Sequence, residues 1–170
     1  MENHRTKFAL PFGDDFPELI YHAIICIGAL VATRTSNGWE VQAVGAPHVG
    51  QRPEKELIES FVNKIARLSP QLVSYNGCAF DLPVLRYRAM IHEVFAPGMH
   101  NRAYFHRYTD DNVDLCDVLS SFSFGAKVKL DELSRIMGLP ANLMESMGRR
   151  SRHISTPVGF RKLLTTASRT

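Results

Sequence analysis

The chain has 170 residues, 45% of them hydrophobic, with 20 basic and 17 acidic side chains. That length fits one domain with a real core, and the composition is that of an ordinary soluble globular protein rather than a disordered, collagenous or disulfide-stapled one. The net charge of +3 argues little for a nucleic-acid-binding surface: six basic residues and one acid lie beyond Pro140, leaving 14 basic against 16 acidic.

No apolar run is long enough to span a bilayer, and the segment after Met1 runs into Pro11, Gly13 and acids rather than an apolar signal core, so a cytoplasmic protein is expected. Cys26, Cys78 and Cys116 are too far apart for a paired metal motif and read as buried thiols. His100 and His106 flank an aromatic loop without a third ligand close by.

Residues 1 to about 20 carry Pro11, Gly13, Asp14, Asp15 and Pro17, which break any period and read as loop. Ala23 to Ala32 is nearly continuous apolar sequence rich in β-branched residues, the pattern of a central strand covered on both faces. Asn37-Gly38 predicts a hairpin turn into an antiparallel strand, Trp39 to Val44, with a loop from Gly45 to Gln51. From Pro53, Leu57, Ile58, Phe61, Val62, Ile65 and Leu68 form one helical face, with Glu54, Lys55, Glu56, Glu59 and Lys64 opposite.

The stretch from Leu72 to Leu85 organises the chain. An apolar strand ends in Tyr75-Asn76-Gly77, a short link delivers Phe80 and Asp81, and a helix begins with Pro83 in its first turn. Asn-Gly after a strand also signals a hairpin, but Leu82, Leu85, Ala89 and Met90 recur at helical spacing. Asp81 alone reads equally as an N-cap or as a ligand-binding carboxylate at a strand-to-helix junction.

The helix runs to about His92. Phe95 to Asp111 is a long loop whose Tyr104, Phe105, His106, Arg107 and Tyr108 either stack on bases or pack the loop onto its own domain, the second being the commoner use. Asn112 to Leu119 reads as a short strand entering a helix. Lys129 to Gly138 reads as a helix with Leu130, Leu133, Ile136 and Met137 inward, closed by Gly138 and Pro140.

The pattern Asn76-x-x-x-Phe80-Asp81-x-Pro83-x-Leu85 after a strand resembles the second exonuclease motif of the DEDD 3′–5′ exonucleases. It is most similar to the predicted exonucleases related to the proofreading domain of family B DNA polymerases. Leu10-Pro11-Phe12, Ile24 to Ala32, Val113-Asp114-Leu115 and Leu130 to Pro140 resemble further segments of that family in the same order, covering residues 8 to 140.

The resemblance implies an α/β, RNase H-like mixed sheet flanked by helices, here missing the first strand and the last helix. It implies metal-dependent phosphodiester hydrolysis on a single-stranded or 3′-end nucleic acid, DNA rather than RNA, with Mg²⁺ or Mn²⁺. Two-ion catalysis holds its cations about 3.5–4 Å apart on converging carboxylates. By resemblance Asp81 is a metal ligand and catalytic residue, Tyr75, Asn76 and Phe80 lie on the nucleic-acid side, with Asn76 shaping the turn, and Asp114 stands at the fold or site edge.

The family uses four acids, and this sequence matches one. It contains no Asp-x-Glu pair for the first motif, since Asp14, Asp15 and Glu18 have the wrong spacing. No tyrosine follows Tyr108, so the Tyr-x-x-x-Asp of the last motif is absent too. Little or no activity is expected, with a non-catalytic nucleic-acid-binding module or a structural remnant as alternatives.

The division expected is a partial domain over 1–140 and an atypical basic tail over 141–170. Read one register later with chosen wobble bases, the codons of that tail allow a string containing Ala-Gly-Arg-Phe-Gln-Glu-Ile-Ala and ending in Tyr-Cys-Glu-Ser-Asp, the missing motif. The tail is therefore a candidate out-of-frame segment, and the first strand is expected to precede Met1 or to have been lost. A missing central strand would leave backbone around Ile24 to Leu30 exposed and lower stability.

Overall fold

The computed structural model describes residues 16–139 and 163–167. The order of elements is β1 (Ala29–Thr35), β2 (Gly38–Gly45), α1 (Glu54–Leu68), β3 (Gln71–Ser74), α2 (Asp81–Ile91), β4 (Asn112–Asp114), α3 (Leu115–Leu119), α4 (Leu130–Ile136) and β5 (Leu163–Ala167). The five strands form one sheet in the order β2-β1-β5-β3-β4. β1 is antiparallel to β2 and parallel to β5, while β3 is antiparallel to β5 and parallel to β4. This mixed α/β architecture is compatible with an exonuclease-like fold.

The hairpin turn is where Asn37-Gly38 predicts it. Thr35 pairs with Gly38 across a two-residue loop, and Gly38 adopts φ +125°, a conformation that β-carbon sterics deny to most residues. The helix after Pro53 is equally as expected: Leu57, Ile58, Phe61, Val62 and Ile65 are buried along one face. Glu54 and Glu56 sit in its first turn, where the helix dipole favours negative charge. Ser69 ends it in the left-handed region, φ 41°, by returning its amide to the Ile65 carbonyl.

These side chains join Ile24, Ile27, Leu72, Leu82, Val84, Leu85, Ala89, Met99 and Tyr104 in one core cluster. Gly98 brings the long loop so close to α1 that a β-carbon there would stand 2.4 Å from the Ala66 Cα. Tyr104 is fully buried and donates its hydroxyl to the Pro70 carbonyl at 2.8 Å, and Arg86 covers the Phe105 ring at 3.8 Å. The loop thus packs onto the domain, leaving Phe95 and Tyr108 as its exposed aromatic rings.

Glu54 gathers three segments. Its carboxylate accepts the Ile24 amide at 2.7 Å, the Arg88 guanidinium at 2.7 and 2.5 Å, and meets the His92 ring at 2.9 Å. Burial works to raise its pKa, but the hydrogen bonds from Arg88, Ile24 and His92 outweigh that and hold it below the ordinary value.

Three expectations need correction. Ladder pairing begins at Ala29 rather than Ala23; the preceding segment makes only an isolated antiparallel bridge between Cys26 and His48, in which Ile27 donates to Pro47 at 3.0 Å and Val49 to Ile25 at 2.9 Å. Of β1 only Ala32 is buried, so that strand is not covered on both faces. α4 stands off the core, with none of its residues buried and Ile136 and Met137 exposed. Beyond residue 140, Leu163 to Ala167 form a strand in the middle of the sheet.

Candidate active site

β3 ends at Ser74, and the chain must turn sharply to start α2 seven residues later. Asn76 takes the left-handed conformation at φ 63°, which asparagine tolerates better than most residues. The turn then winds into the helix: Phe80 donates its amide to the Asn76 carbonyl at 3.1 Å, and Leu82 donates to Gly77 at 2.9 Å. At Gly77 a β-carbon would lie 2.4 Å from the Ser74 Oγ and 3.5 Å from the Asp81 Oδ2. The glycine is therefore what lets the Asp81 carboxylate and the end of β3 approach each other.

Asp81 is the first residue of α2 and is 1% exposed. The N-cap position belongs to Phe80, so the capping role open to Asp81 from sequence is not the one it takes. As an acid in the first turn it meets the positive end of the helix dipole. Phe80 is half-buried, with its ring 5.0 Å from His22 and 5.9 Å from Phe16. Tyr75 is buried and donates its hydroxyl to the Val128 carbonyl at 2.6 Å.

The turn is held from β4. The Asp114 carboxylate accepts the amides of Asn76 at 2.6 Å and Cys78 at 3.0 Å, and also caps α3 through Cys116 at 3.1 Å. Asn112 adds a contact from its side-chain amide to the Cys78 sulfur at 3.0 Å. Burial, then the nearby Asp114 and Asp117 charges, push the Cys78 thiol up to about 11, against the weaker opposite pull of Arg107 and Asn112. It is a protonated thiol at neutral pH and no nucleophile.

Sequence reasoning missed the clamp beside this turn. Asp117, buried in α3, receives a two-pronged bond from Arg107, both at 2.6 Å, and the Lys127 ammonium at 2.8 Å. The Arg107 hydrogen bond is the main reason its carboxyl lies below the ordinary aspartate value of 3.8, with Lys127 adding to it and burial opposing. No spacing signal announces it, because the three residues come from two loops and a helix.

Among the described residues no group of three or more His, Cys, Asp or Glu side chains could hold a metal ion. Three aspartates are buried, Asp81, Asp114 and Asp117, and the last two are committed to amides and to cations. Hard divalent ions need several converging oxygens. The described residues do not fit a two-ion centre.

Asp114→Ala leaves three amides without their acceptor and is expected to lower stability by roughly 3 kcal/mol, while Asp114→Asn, which keeps one oxygen, loses less. Equal stability of both variants in urea titration would contradict the clamp. Because the Asp117 pKa is depressed on folding, its contribution is complete above its unfolded value of 3.8 and is lost as pH falls through the lower folded value. Asp117→Asn should therefore flatten that acid limb of the stability curve, and an unchanged limb would contradict the pairing.

No helix among the described residues is long and apolar enough to cross a membrane. No curated protein and no solved structure matches the chain. A family model for predicted 3′–5′ exonucleases related to the exonuclease domain of PolB matches residues 14–148, which contain the whole strand–turn–helix unit around Asp81. The chain belongs to this family of predicted 3′–5′ exonucleases related to the exonuclease domain of PolB.

Proposed function

We propose that this chain is the central part of a 3′–5′ exonuclease domain whose acid set is incomplete, and that it hydrolyses nucleic acid weakly or not at all. The observation that carries this reading is the fate of the buried aspartates. Asp81 lies at the head of α2, while the Asp114 carboxylate is occupied by three amides and Asp117 by Arg107 and Lys127. The sequence supplies neither an Asp-x-Glu nor a late Tyr-x-x-x-Asp to join Asp81.

Family membership supports a nucleic acid as the ancestral substrate, with a 3′ end of single-stranded DNA as the proposed form. In that role Asp81 is the metal-facing carboxylate, Phe80 and Tyr75 line the nucleic-acid side, Asn76 shapes the turn, and Asp114 braces the site edge. Mg²⁺ or Mn²⁺ would supply the hydroxide and neutralise the leaving oxygen when a full ligand set is present. The division at residue 140 and the out-of-frame origin of residues 141–170 remain part of this proposal, and the nucleotide sequence tests the latter: a shifted frame that does not encode Tyr-x-x-x-Asp overturns it.

Incubation of the purified protein with 3′-labelled single-stranded DNA and Mn²⁺, beside Asp81→Ala, tests the activity. The expected result is the same negligible shortening for both proteins. Shortening that disappears in Asp81→Ala would overturn the proposed inactivity.

A further inference from the structure

The sheet consists of two pairs that do not touch directly. β1 pairs with β2 and β3 with β4, and only β5 lies between β1 and β3. β5 meets β1 in parallel register from Ala29↔Leu163 to Thr33↔Ala167, and meets β3 antiparallel at Gln71↔Thr166, Leu72↔Thr165 and Val73↔Leu164. Strands stand about 4.8 Å apart, so the space between β1 and β3 admits one extended segment and no more. Each flanking strand turns a row of backbone donors and acceptors toward that space, and a segment lying in it bonds on both sides, where ordinary edge addition bonds on one.

The rest of the domain is built before β5 in the sequence. The core cluster runs from Ile24 to Tyr104, and both strand pairs are closed by Asp114. β5 joins from far along the chain, with residues 140–162 between it and the preceding described segment. Its sequence, Leu163-Leu164-Thr165-Thr166-Ala167, holds no proline and pairs apolar with β-branched residues, the composition that suits an extended ligand.

We propose that the slot between β1 and β3 is a strand-acceptor site: it binds an extended apolar and β-branched peptide segment through backbone hydrogen bonds to both flanking strands, with residues 163–167 as its tethered ligand. The slot is formed by residues before 140, so it stands whatever the reading frame of the tail, and it is independent of the nuclease proposal. Its occupation braces β3, the strand that leads directly into the turn carrying Asp81.

The test uses the full chain with Leu164→Pro and Thr165→Pro together. Successive strand amides face opposite neighbours, so the two prolines strip a donor from each side of the tail. A fluorescent synthetic peptide with the sequence of residues 162–169 should bind this variant at least tenfold more tightly than the wild type, whose own tail competes at an effective concentration in the millimolar range. The same peptide carrying the two prolines should not bind.

Equal binding to both proteins, or equal binding of the proline peptide, would overturn the proposal. Hydrogen exchange of the wild-type protein gives an independent reading that does not need the variant. Slot-facing amides of β1 and β3 should be protected like those of the β1–β2 ladder, and loop-like exchange there would overturn the proposal. A concentration-dependent dimer of the wild type in light scattering would place the tail strand in the slot of a second copy and overturn the tethered assignment.

Discussion

Three backbone amides converge on one carboxylate, that of Asp114, and the geometry of the candidate site depends on it. Two of them, from Asn76 and Cys78, belong to the turn after β3, and the third starts α3. A left-handed residue at Asn76 and a glycine pressed against Ser74 are unfavourable choices for a free chain, and the turn persists because its amides are bound from β4. The parallel pairing of β3 with β4, Ser74 beside Asp114, sets the carboxylate at the right height. Asp81 is placed at the head of α2 as a consequence.

The same arrangement limits the chemistry. Hydrogen bonds from amides to a charged acceptor contribute about 1.5–3 kcal/mol each, and turning Asp114 toward a cation would leave its buried donors unmet. Asp117 is held in the same way by Arg107 and Lys127, which already balance its charge. The described domain spends two of its three buried aspartates on its own architecture. A carboxylate that orders a turn and one that holds a metal need different surroundings, and Asp114 and Asp117 have the first kind.

Much of this was legible in the sequence where the signal is local. The Asn37-Gly38 turn, the buried face of α1 and the strand–turn–helix unit around Asp81 each follow from spacing that one segment carries by itself. The misses are nonlocal. Nothing within Ala23 to Gly28 shows that its antiparallel pairing stops at the single bridge between Cys26 and His48, so the apolar run overstates β1. α4 has a helical period, but a period does not say whether anything covers its apolar face.

Asp114 caps α3, and its grip on a turn 38 residues earlier leaves no local trace in the sequence. β5 is masked by its surroundings: its five residues follow a basic pair, Arg161-Lys162, in a stretch whose prominent feature is charge. Thr165 and Thr166 beside two leucines were a strand signal, although only the open space between β1 and β3 explains where that strand goes.

In the proposed reading Asp81 takes the family's metal-facing position, and the described residues bring no group of carboxylates around it that could hold an ion. Titration of the protein with Mn²⁺, followed by the loss of the free-ion electron paramagnetic resonance signal and repeated on Asp81→Ala, tests it most directly. The same weak, non-saturating uptake is expected in both proteins. Saturable binding that disappears in Asp81→Ala would contradict it.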